Sequence, residues 1–187
     1  MNTDDGSALY HGEYRPYPSE FLATGVIGII LYISIAIAAI YLLTQSKTFL
    51  NRLFYVSMTM MAIFDMPRYF ILAIESSYHS KIGYSMHIIS GAFYFICLAI
   101  IGMTFATILE VGSLSFTMII YSKRGLSLAV LLHTAVDFSA FIICLKSRSL
   151  SEFFGSQYYI FFMCFDILQN FLYSSVLVLF GLRLISR

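Results

Sequence analysis

Charge is what this chain has least of. Only 11% of its 187 residues are Asp, Glu, Lys or Arg, against about a quarter in soluble globular proteins. Together with 59% apolar residues and a mean hydropathy of +0.83, that scarcity excludes a soluble domain and defines an integral membrane protein. The net charge is +1, and no Lys/Arg cluster is interleaved with stacking aromatics, which excludes a nucleic-acid partner. Cysteine is sparse: Cys97, Cys144 and Cys164 all fall inside apolar runs and read as small packing residues without a disulfide framework. Tryptophan is absent, so any interfacial aromatic belt has to come from the 14 tyrosines, among them Tyr17, Tyr41, Tyr55, Tyr84, Tyr121 and Tyr158. Also missing are a Gly-rich phosphate loop, a nucleophile elbow, a Cys-x-x-Cys pair and metal-ligand spacings. The expectation is a protein that is not an enzyme and carries no resident cofactor or metal. Residues 1–20, acidic and rich in tyrosine, lack the basic start and cleavage site of a signal peptide and read as a retained outer or lumenal lead.

What the chain does have is long apolar runs. Crossing the ~30 Å hydrocarbon core takes roughly 20 apolar residues in a helix, and five segments reach that length: 21–44, 53–75, 84–109, 126–145 and 157–182. The expected fold class is therefore all-α, a polytopic transmembrane bundle of five spans, with 21–187 as one domain. Short polar connections at Lys47 to Arg52, Ser76 to Gly83 and Lys146 to Ser156 make sequential spans antiparallel neighbours. Between Tyr84 and Tyr121 the chain is almost continuously apolar. As one helix it would measure roughly 57 Å, too long for a single span. The third span is expected to end near Glu110, with Gly112 to Tyr121 as its extension or an interfacial segment before Lys123-Arg124-Gly125.

Basic residues set the expected orientation. The N-terminal side carries Arg15, Lys81, Lys146 and Arg148, whereas the opposite side carries Lys47, Arg52, Lys123, Arg124, Arg183 and Arg187. The excess favours the second side as cytoplasmic and the N-terminus as outside or lumenal.

Asp65, Asp137 and Asp166 each sit near the middle of a different span. At ~1.5 Å per residue, Asp65 and Asp137 lie about 18 and 16 Å from the cytoplasmic boundary, and Asp166 about 14 Å below the outer one. Carboxylates persist at that depth by facing a bundle interior and finding partners. Arg68 follows Asp65 by three residues, and Pro67 between them frees the Ile63 carbonyl as an acceptor. His133 lies one helical turn from Asp137, while Gln169 and Asn170 share a face with Asp166. Three carboxylates against one guanidinium do not all stay ionised in a low-dielectric site without a proton, an imidazolium or a bound cation such as Na⁺. Asp65, Arg68, His133, Asp137, Asp166, Gln169 and Asn170 thus form a candidate polar network. Its alternative roles are interhelical hydrogen-bonding glue, an ion- or proton-linked switch, and a translocation site. A haem held by His87 and His133 is not expected, because counting separates the two by about 15 Å in depth.

Several motifs resemble the tobamovirus-multiplication-protein family of plants and other eukaryotes, seven-helix membrane proteins with receptor-like animal relatives. They are Arg52-Leu53-Phe54 opening the second span, Pro67-Arg68-Tyr69-Phe70 toward its outer end, and the aromatic Phe93-Tyr94-Phe95 leading to Phe105 and Glu110. The resemblance implies a shortened seven-helix fold and an endomembrane protein that binds partners at its cytoplasmic face without catalysis. Lys47, Arg52, Lys123, Arg124, Arg183 and Arg187 are the candidate partner surface, and the same residues could equally serve topology alone. The combined expectation is a non-enzymatic, multi-pass scaffold or receptor-like protein whose partners are the bilayer and other proteins. The alternative is a small proton- or cation-coupled transporter, or an accessory membrane subunit of a larger transport or respiratory complex.

Overall fold

In hydrocarbon a backbone must satisfy its own hydrogen bonds, and a helix does so within one segment. The computed structural model, which describes residues 18–75, 81–111 and 116–185, turns every apolar run into helix. The elements are α1 (Pro18–Gln45), α2 (Phe49–Glu75), α3 (Lys81–Val111), α4 (Phe116–Lys146), α5 (Leu150–Phe154) and α6 (Gln157–Ile185). All but α5 are long and apolar enough to cross a membrane. The lead through residue 17, the connection 76–80, residues 112–115 and residues 186–187 (Arg187 among them) lie outside the described residues.

Packing follows chain order. α1 lies chiefly on α2, α2 on α3 and α3 on α4, and α6 closes against both α3 and α4. α3 is the central helix: 44% of its most apolar stretch is buried, against 11% for α1. Glycine allows α1 and α2 to meet closely. A Cβ at Gly25 would come within 2.6 Å of Ala73 Cβ, and one at Gly28 would fall on the Tyr69 ring. Small residues at such spacing let membrane helices approach backbone to backbone. Tyr32, one turn beyond Gly28 on the same stripe, tilts against Tyr69 with ring centroids 5.2 Å apart.

The turns are tied by polar side chains. Thr48 Oγ1 accepts from the Asn51 amide at 3.3 Å, an N-cap for α2, and Arg52 Nε donates to the Ser46 carbonyl at 3.0 Å. At the other end of the bundle Lys81 Nζ donates to the carbonyls of Leu145 and Ser147 at 2.7 and 2.6 Å. Those carbonyls would otherwise be orphaned at the C-terminus of α4.

Three features differ from the sequence expectation. Of the stretch Gly112 to Tyr121, residues 112–115 lie outside the described residues, and 116–121 do not extend the third span but form the opening turns of α4, ahead of its membrane-length stretch Lys123–Lys146. Gly125, expected in a loop, lies inside that helix, since an interior glycine costs only about 1 kcal/mol relative to alanine. The connection 146–156 contains α5, a single capped turn and a half. Ser149 Oγ accepts from the Glu152 amide at 3.2 Å while Glu152 reaches back to the Arg148 amide at 2.5 Å. This reciprocal Ser-x-x-Glu pattern is a capping box in sequence form. α5 buries Phe153, 1% exposed, in an aromatic cluster with Tyr84, Phe154 and Tyr159.

Candidate functional site: a polar cavity between four helices

The bundle encloses a cavity of about 430 Å³ walled by α2, α3, α4 and α6, with Tyr32 reaching in from α1. Asp65, Arg68, His133, Asp137, Asp166 and Asn170 all line it, and so does His87. Tyr84 and Tyr159 connect its wall to the aromatic cluster around α5. Gln169 faces elsewhere. It lines an apolar groove of about 470 Å³ between α4 and α6, where its Oε1 and the buried Tyr173 hydroxyl have no hydrogen-bond partner among the described residues. Helical geometry explains the divergence, since three residues on from Asp166 rotates by about −60° and four by about +40°, placing Gln169 and Asn170 on opposite sides of it.

The cavity has two differently organised walls. On the α2/α3 wall, Asp65 Oδ1 and His87 Nδ1 are 2.6 Å apart, a short contact of the charge-assisted kind. Tyr32 from α1 and Arg68 both stand close to the same carboxyl group. Ser90 Oγ donates to the Met61 carbonyl at 3.1 Å and fixes α3 against α2 just below. Asp65 is therefore buried and well partnered. Its close partner is His87 from α3, whereas sequence spacing pointed to Arg68 on its own helix. Counting residues hid this pair, because α3 begins at Lys81, three residues earlier than expected, which carries His87 about 4.5 Å deeper.

The α4/α6 wall is incomplete. His133 and Asp137 are 1% and 2% exposed. His133 Nε2 lies 3.2 Å from Asp137 Oδ2 and 3.8 Å from Asp166 Oδ1. Distance alone would suggest a hydrogen bond, but the groups are not aligned for one. Neither ring nitrogen of His133 nor Asp137 Oδ2 has a hydrogen-bond partner among the described residues. The imidazole is instead held by aromatic packing, its centroid 3.5 Å from that of Phe95 and 5.8 Å from that of Phe165. Asp166 is one-third exposed, and Asn170 Nδ2 is turned back to the Asp166 carbonyl at 3.1 Å.

Burying a polar group without a partner costs roughly 1–3 kcal/mol, more for a charged one, so buried side-chain networks are normally satisfied throughout. Here one wall is satisfied and the other is not, and the residues that carry the unsatisfied atoms, His133 and Asp137, line a space large enough for a guest. Chemically, the arrangement gathers three carboxylates, one guanidinium and two imidazoles, and its net charge is negative when the carboxylates are ionised and the imidazoles neutral. Among the described residues no three His, Cys, Asp or Glu side chains converge as a metal site. The histidines are engaged with different carboxylates, His87 with Asp65 and His133 with Asp137 and Asp166.

The expected partner surface collects at the end of the bundle opposite α5. Lys47 lies in the α1–α2 turn, Arg52 in the first turn of α2, Lys123 and Arg124 in the early turns of α4, and Arg183 in the last turn of α6. Lys47, Arg52, Arg124 and Arg183 are exposed. No family model, curated protein or solved structure matches the chain. Its class is defined by its own architecture: an all-α membrane protein with five membrane-length helices around a polar cavity.

Proposed function

We propose that the chain is a non-enzymatic, receptor-like multi-pass membrane protein whose polar cavity binds a small ligand or ion, and whose basic end engages protein partners. The observation that supports this reading is the pair His133 and Asp137, almost fully buried, 3.2 Å apart without an aligned hydrogen bond among the described residues, and bordering a 430 Å³ space. A network serving only to hold helices together would satisfy its members, as the Asp65–His87 side does. In this proposal the basic end, with Lys47, Arg52, Lys123, Arg124, Arg183 and Arg187, faces the cytoplasm and the N-terminus faces outside or lumen. The endomembrane location implied by the resemblance belongs to the same proposal.

A second reading, a small proton- or cation-coupled transporter, draws on the partial exposure of His87 and Asp166, 42% and 33%, which gives the enclosed groups a route to the surface. Thermal unfolding in detergent across about pH 5 to 9, with Na⁺ or K⁺ at fixed ionic strength, tests the cavity as a linked site. Anything that binds only the folded state raises apparent stability by mass action. The groups facing one another there are Asp65, Arg68, His87, His133, Asp137 and Asp166, with the Tyr32, Tyr84, Tyr94 and Tyr159 hydroxyls. A midpoint that responds to proton or Na⁺ in the parent but not in Asp137→Asn supports a linked site. A flat response in both leaves the carboxylates as hydrogen-bonding glue unless another guest is found.

A further inference from the structure

We propose that the cavity binds a small organic cation, with its ammonium group between Asp137 and Asp166 and its carbon skeleton against the aromatic wall. The inference rests on the ligand-binding reading above and names the class of ligand. Four observations carry it.

The first is where uncompensated charge lies. Asp65 is held by His87 at 2.6 Å, with Arg68 on the same side, whereas Asp137 and Asp166 share one nearby imidazole, His133, at 3.2 and 3.8 Å. Second, Asp137 Oδ2 has no aligned hydrogen-bond donor among the described residues, although His133 Nε2 stands 3.2 Å away. An ammonium N–H supplies that donor and a charge of the right sign, which an anion or an apolar guest does not.

Third, size favours a molecule over an ion. About 430 Å³ is roughly the space of fourteen waters and falls in the range of small-molecule pockets. A bare Na⁺ or Ca²⁺ needs its oxygen ligands drawn in to about 2.3–2.6 Å. The walls of the same cavity include Tyr94, Phe95, Tyr159 and Phe162, and aromatic faces attract ammonium groups through their quadrupoles within about 6 Å. Fourth, room is left beside the carboxylate itself. A Cβ at Gly91 would meet Asp137 Oδ2 at 3.8 Å, in ordinary contact, and no other atom within 4 Å beyond its own stretch of helix, so a larger side chain at this position would crowd the carboxylate on the side where the ammonium head would sit.

Phenethylammonium chloride and its neutral isostere 2-phenylethanol separate the possibilities when each is titrated into the purified full-length chain in detergent. Unfolding can be followed with a thiol-reactive dye, since Cys97 and Cys144 are buried and free. The proposal predicts a saturable rise in midpoint of about 5 °C with phenethylammonium and none with 2-phenylethanol or equal NaCl. Asp166→Asn should weaken the apparent affinity at least tenfold, and Gly91→Leu should do the same by filling the head-group space while leaving every charge in place. Asp137→Asn should act like Asp166→Asn, and the latter stands alone should Asp137→Asn fail to fold. Equal responses to the amine and the alcohol, or an amine response that survives both Asp166→Asn and Gly91→Leu, overturn the organic-cation assignment. A response to Na⁺ or pH alone overturns it too but keeps the cavity as a linked site. No response to any of these removes both readings.

Discussion

Asp65 and Asp137 are buried to the same degree, 3% and 2% exposed, but only one of them has what a buried carboxylate needs. Asp65 accepts a 2.6 Å contact from His87, so Asp65→Asn should lower stability, by about 1 kcal/mol given the partial exposure of His87 and the small worth of polar contacts in bilayers. Asp137 Oδ2 makes no aligned bond among the described residues, so Asp137→Asn should be neutral or raise the unfolding midpoint. A pair of thermal melts checks both, and a larger loss for Asp137→Asn would mean that His133 is already its partner. At this scale the sequence was partly readable. The cost of a mid-membrane charge marks Asp65, Asp137 and Asp166, and the i, i+4 spacing joins His133 to Asp137. The Asp65–His87 pair was not readable, because it depends on how α3 is shifted and rotated against α2, and neither quantity is written in either segment alone.

Among the elements, α1 relies most on a single contact, so its glycines carry the most testable consequence. A leucine at Gly28 would overlap the Tyr69 ring, whereas at Gly181 there is nothing within 4 Å. Gly28→Leu should cost about 1–3 kcal/mol as an overpacked site, while Gly181→Leu should change stability by less than about 0.5 kcal/mol. Thermal midpoints of the two variants, measured in one detergent, decide it. Tyr32 rides on the same stripe, so Gly28→Leu should also loosen the α2 wall of the cavity. At α5, Ser149→Ala removes the acceptor for the Glu152 amide and should cost about 1 kcal/mol, read as a lower midpoint and faster proteolysis between α4 and α6.

Long elements were legible because apolar length is a strong signal in a membrane chain, and five runs became five membrane-length helices. Boundaries were less so. Lys123-Arg124-Gly125 has the composition of a loop, yet hydrogen-bonded helix prevails through it, and α4 starts at Phe116. α5 is too short for periodicity to reveal, although Ser149 and Glu152 spell its cap.

At the scale of the whole molecule, alternating helix direction brings two kinds of chemistry to two levels. The turn after α1, the start of α4 and the end of α6 gather basic residues at one end. The middle collects three carboxylates, one guanidinium and two imidazoles around a space. The first follows from the number of spans. The second requires that α6 pack against α3 and α4 with Asp166 turned inward, which the polar stripe Asp166/Asn170 suggests but does not specify, as the divergence of Gln169 into the α4/α6 groove shows.

The central claim is that this space is an accessible, negatively biased binding cavity. Its most direct test places a cysteine on the cavity wall, Asn170→Cys, in a background with Cys97, Cys144 and Cys164 replaced by serine. Labelling rates are then compared for a cationic and an anionic methanethiosulfonate of similar size. A cleft lined by carboxylates concentrates cations about tenfold or more. The account predicts that the cationic reagent reacts at least about tenfold faster, with the preference largely lost at high salt and in Asp166→Asn. Failure of both reagents to react, or equal rates for the two, would contradict it.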